Sequence, residues 1–151
     1  MLAQLPGGLR SATLLAINLL FLIVWAFAAL AKLQSGVPDW FAGKFSATFL
    51  ARIPGLTATF WILAISEVLV ALIAAAALLR REFLGRKPPT LLATTLVGSL
   101  FVFLQLGFGQ WLTAEFEGAF QQFVYFGLTL VAMHTVAALT APTPSERPNK
   151  S

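Results

Sequence analysis

The sequence predicts an all-α integral membrane protein: a four-transmembrane-helix bundle with a short amphipathic interfacial helix between helices one and two. Three observations carry this. Of 151 residues, 58% are hydrophobic and only 11% charged, where soluble domains are about a quarter charged. The apolar residues gather into four runs, each near the roughly 20 residues that cross a bilayer as a helix. The runs also lack the period of two that barrel strands with a polar lumen would show.

The first run, residues 13–31, lies between Arg10 and Lys32. A signal-peptide core is about 7–15 residues, so this run reads as a spanning helix. The second, 57–79, is interrupted by one acid, Glu67. The third is 90–112 and the fourth 119–139. The link before the third is short, basic and closed by Pro88-Pro89, suited to a helix entry. The link before the fourth is a tight acidic turn with Glu115 and Glu117. Residues 141–151, with three prolines and little apolar content, read as a flexible tail.

The link between the first two spans is longer. Pro38-Asp39 and Pro54-Gly55 read as helix start and stop. Between them Phe41, Phe45, Phe49 and Ile53 recur every four residues, so they share one helical face, while Lys44 and Arg52 fall off it. The expected element is an amphipathic helix over 38–53 that lies on the membrane or caps the bundle. Trp40, Trp61 and Trp111 fall near the same surface. With Trp25, on the same half of the first span, they suit an interfacial aromatic belt.

Orientation follows from Lys and Arg. With four spans, Arg10, Arg80, Arg81, Arg86, Lys87, Arg147 and Lys150 share one side, and Lys32, Lys44 and Arg52 the other. Seven against three favours both termini in the cytoplasm. The net charge of +4 is spread between spans rather than clustered, which argues against a nucleic-acid partner. The expected partners are lipids and other membrane subunits or further copies of the chain. The absence of cysteine excludes disulfides, thiolate metal sites and dithiol exchange by this chain.

Glu67 is the strongest single signal. It falls about 15 Å from either surface at 1.5 Å per residue. An acid there costs about 2.5–3.5 kcal/mol on insertion scales, so it should face the bundle and find partners. Ser66 and Gln105 are the nearest polar candidates by depth, and Lys32 reaches it only if the first helix tilts or sits deep. The chemistry these residues suggest is a proton-accepting or headgroup-binding site, for instance toward a quinone; the structural alternative is a hydrogen bond joining two helices. Gly98, Gln105 and Gly109 share a face of the third span, where small residues permit close helix contact and Gln105 can bond across it. His134 toward the inner end of the fourth span offers one axial ligand to a haem or chlorophyll-type pigment, but no bis-histidine set. No second His or Cys completes a metal site. Ser and Thr have no acid–His companion for a hydrolase triad.

The run Ala28-Ala29-Leu30-Ala31-Lys32, the phenylalanine-rich link with Pro54-Gly55, and Ser66-Glu67-Val68 together resemble the DoxX-like family of small four-helix membrane proteins. The basic link after the second span and the Phe123 to Leu128 stretch fit the same outline. The family often has an arginine within helix one and a glycine shortly before the lysine; here Trp25 and alanines stand there. Lys32 and Glu67 are the residues carried over. The resemblance implies the small membrane subunit of thiosulfate:quinone oxidoreductase, or a membrane partner of redox proteins. The expected function is an accessory or anchor subunit of a quinone-linked or other electron-transfer complex, not catalytic alone. The alternatives are a small transporter or channel using Glu67, and a stand-alone quinone- or lipid-binding protein.

Overall fold

A computed structural model describes residues 5–52, 55–84 and 88–141. The described residues form five α-helices: α1 (Gly7–Ser35), α2 (Asp39–Lys44), α3 (Leu56–Leu79), α4 (Thr90–Leu112) and α5 (Phe116–Thr140). Single 3-10 turns follow α2 at Phe49–Arg52 and α3 at Glu82–Leu84. Four helices are long and apolar enough to cross a membrane, and the chain is a multi-pass membrane protein. Ile53 and Pro54, expected at the end of the interfacial helix, and nearly all of the expected tail lie outside the described residues.

The spans agree with the apolar runs except at their ends. Hydropathy marks only the part in hydrocarbon, whereas the helix continues into the interface. Thus α1 starts just after Pro6 and runs past Lys32 to Ser35. It stops at Gly36, whose φ of +62° suits glycine and whose N–H returns to the Lys32 carbonyl at 3.0 Å. Similarly α5 begins at Phe116, because the acidic turn needs only a left-handed Ala114 (φ +57°) and one long-reach bond, Glu115 N–H to the Gln110 carbonyl at 2.9 Å.

The expected helix over 38–53 is corrected. Only Asp39–Lys44 is α-helical, and the chain then turns before the 3-10 segment. Gly43 is a poor helix former. Just beyond it the Ser46 hydroxyl donates to the Gly43 carbonyl (2.7 Å) and the Thr48 hydroxyl to the Phe45 carbonyl (2.8 Å), offering the backbone an alternative to the helix. The four-residue stripe therefore breaks: Phe41 and Phe45 are buried against Phe60, while Phe49 is exposed.

The long helices pack in series, α1 on α3, α3 on α4 and α4 on α5, while α1 and α5 meet sparsely. Large apolar side chains cover the outside as well as the core, and several polar ones are buried. Phe27, Phe101, Phe120 and Phe123 are exposed, while Asn18, Glu67, Thr95, Ser99 and Thr129 are buried. Hydrocarbon tolerates the phenylalanines, and helix association in lipid relies on close packing and interhelical hydrogen bonds. Asn18 supplies one such tie: its amide meets both the Ala74 carbonyl (3.0 Å) and the Leu78 N–H (3.1 Å) of α3. Gly98 supplies close approach, since a Cβ there would lie 2.8 Å from Cγ2 of Val70.

Trp25 is not in an interfacial belt. It is 1% exposed, and its indole N–H donates to the Ser99 hydroxyl at 2.7 Å, which in turn donates to the Thr95 carbonyl at 2.8 Å. The reason is helical phase. Leu14, Asn18, Phe21, Trp25 and Ala29 are the buried face of α1, so Trp25 must point inward, and its N–H then needs a partner. Trp40, Trp61 and Trp111 do present exposed surface.

Candidate functional site

The buried face of α1, spaced by threes and fours, ends one step on at Lys32. The buried face of α3 comprises Phe60, Ala64, Glu67, Val70, Ala74 and Ala77, so Glu67 occupies a position where the packing phase calls for an inward residue. The two faces meet. Lys32 Nζ donates to Oε1 of Glu67 at 2.8 Å. Glu67 is fully buried, whereas the Lys32 side chain retains 22% of its exposure. The second carboxylate oxygen, Oε2, is buried with no hydrogen-bond partner.

Lys32 also lines a cleft of about 390 Å³ between α2, α3 and α4. Its walls are mainly apolar and aromatic, with Phe41, Phe45, Phe60 and Leu63 among them, and Gln105 and Gln110 add amides. This combination, apolar walls with a few polar groups at fixed points, is the usual make-up of a small-molecule site. The fold builds it directly: the Phe41–Phe45–Phe60 cluster seats α2 over α3, and Lys44 bonds Glu115 Oε2 at 2.7 Å, tying α2 to the α4–α5 turn. Phe45 packs over Gly109, its Cζ at ordinary contact distance (3.7 Å) from where a Cβ would sit.

The other candidates are placed as follows. Gln105 is exposed and its amide lies 3.4 Å from the Ser66 hydroxyl, which donates to the Ile62 carbonyl. Neither Ser66 nor Gln105 bonds Glu67; the acid's partner is Lys32. His134 is exposed on α5, and the cleft is not lined by it. In the cleft Lys32 and Gln105 offer N–H donors, and the side-chain oxygen of Gln110 is buried without a partner.

Sequence reasoning passed over Asn18, whose signal was a polar residue in phase with Leu14, Phe21 and Trp25. It also passed over Glu82, a lone acid in a basic link. Glu82 is buried and accepts from the backbone N–H groups of Leu91 (3.1 Å) and Leu92 (3.0 Å). No side chain at the helix's own N-cap bonds that end, so Glu82 satisfies two of the free amides at the start of α4 from a distance.

Comparison with protein-family models, curated proteins and solved structures finds no match.

Proposed function

We propose that this chain is an accessory or anchor subunit of a quinone-linked or other electron-transfer complex in a bacterial inner membrane, with both termini cytoplasmic. The observation that carries the reading is the Lys32–Glu67 pair. It sets a fixed charge pair in a membrane-spanning bundle, with its lysine in the wall of an apolar cleft sized for a headgroup. Intramembrane acids are rare and costly, and default to functional roles. The motifs that resemble DoxX-like proteins include the same two residues and lead to the same class of complex.

In this reading the chain's own residues bind and orient. Lys32 and Gln105 donate to a carbonyl oxygen of the head, the phenylalanines of α2 and α3 exclude water, and Glu67 fixes the lysine. The redox chemistry belongs to the quinone and to the partner subunits. Purification in mild detergent, with identification of copurifying proteins and extraction of bound quinone, tests this. A redox partner and a quinone lost in Glu67→Gln are expected; an isolated chain with neither overturns the proposal.

A second reading, a small proton or ion pathway, is favoured by the unpartnered Oε2 of Glu67. It predicts flux in proteoliposomes that Glu67→Gln abolishes, and undiminished flux in that variant would end it. Four helices are few for alternating access, and no span carries the internal proline that marks many transporter sites.

A further inference from the structure

We infer that the turn at residues 80–84, with Thr90 and Leu91 at the start of α4 and at the opposite end of the bundle from the cleft, is a specific binding site for the phosphate of an anionic phospholipid. This does not rest on the function proposed above. Arg80 and Arg81 follow α3 directly and are both exposed. The nearest acid in sequence, Glu82, is turned toward α4, where its two oxygens accept from the amides of Leu91 and Leu92. Among the described residues neither arginine makes an ion pair.

Backbone geometry separates this arrangement from loose topology-setting charge. Arg81 has φ +55°, a left-handed conformation that costs an L-residue about 1–2 kcal/mol. It is held there by Arg81 N–H to the Leu78 carbonyl (2.9 Å) and Leu84 N–H to the Arg81 carbonyl (3.0 Å). The turn that imposes this conformation is itself anchored by Glu82 to α4, and it packs against α1. Both arginines therefore stand on a fixed turn rather than a free loop. They line one open cleft with Glu82, Leu84, Thr90 and Leu91 among others, so two cations, set against the one carboxylate that the α4 amides hold, border two leucines and a hydroxyl. A free phosphate would use the arginines alone; a phospholipid also uses the leucines, against its glycerol and upper acyl chain. The site's position at the end of two spanning helices supplies that ligand from the adjoining leaflet.

The test uses the full chain in detergent micelles containing equal mole fractions of phosphatidylglycerol and phosphatidylcholine, read by native mass spectrometry. One retained phosphatidylglycerol is expected in preference to phosphatidylcholine. A cation near the headgroup strengthens binding about fivefold, so Arg80→Gln with Arg81→Gln should reduce the preference roughly 25-fold. The double lysine variant should keep most of it, which separates lost charge from lost folding, and Arg52→Gln at the other end should leave it unchanged. Equal retention of the two lipids, a preference that survives the double glutamine change in folded protein, or full displacement by millimolar inorganic phosphate would each overturn the inference.

Discussion

Removing the ammonium from Lys32 while keeping its length, as in Lys32→Met, is expected to destabilise the bundle by about 2–4 kcal/mol. The figure follows from the geometry. Glu67 is fully buried, Oε1 has Lys32 at 2.8 Å as its partner, and Oε2 has none. Without the lysine the whole carboxyl is unpartnered in the bundle. Breaking a buried pair from one side costs about 3–5 kcal/mol, and the 22% exposure of Lys32 reduces this because that charge is partly hydrated. Glu67→Gln should cost less, about 1–2 kcal/mol, since a neutral amide remains and Lys32 can turn outward. Lys32→Met combined with Glu67→Leu should recover much of the loss, because an apolar pair of similar volume often replaces a buried ion pair without penalty. The assay is reversible denaturation in micelles followed by helical ellipticity, run as a double-mutant cycle on Lys32→Met, Glu67→Leu and the two together. A coupling energy of about 1–3 kcal/mol is expected. Additivity within about 0.5 kcal/mol would refute the claim that these residues act as a pair.

Three further outcomes are accessible to the same preparations. Glu82→Ala should cost about 2–4 kcal/mol, because two charge-assisted bonds to the start of α4 disappear together; hydrogen exchange at Leu91 and Leu92 should rise, and unchanged protection there would remove Glu82 from the capping role. Gly98→Ala should destabilise by about 1–3 kcal/mol through overpacking against Val70, and Val70→Ala in the same chain should reverse part of this; a neutral Gly98→Ala would show that α3 and α4 separate freely. Because the chain has no cysteine, single cysteines at Ser35 and Ala141 report topology cleanly. An impermeant maleimide applied outside intact cells should label the first and spare the second, and the reverse pattern would invert the proposed orientation.

The four spans were legible because lipid rewards unbroken apolar length, and that signal survives whatever the helices pack against. Their ends were less so: Arg10 and Lys32 bracket the hydrocarbon segment of α1, not the helix, which runs from Gly7 to Ser35. The phenylalanine stripe over 41–53 misled because periodicity records only a compatible face, and local Ser46 and Thr48 bonds decided the backbone. Trp25 misled through composition, since tryptophan near a span's outer half suggests an interface unless its phase against Leu14 and Phe21 is followed. The contact of Lys32 with Glu67 needed the relative depth of two helices, a tertiary quantity absent from either segment. Glu82 was silent for a related reason, because its partners lie nine and ten residues further on and its role appears only once the link has folded back.

The order of the ion pair along the chain has a consequence for biogenesis. Lys32 precedes Glu67 by 35 residues, so during synthesis the cation is already placed at the end of α1 when the acid enters the membrane. An acid arriving alone would carry its full insertion penalty. Here α3 can insert against a helix that already offers a counter-charge, with Asn18 ready to meet Ala74 and Leu78 further down the same seam. The first two spans thus form a self-neutralising hairpin that can assemble before α4 and α5 are made.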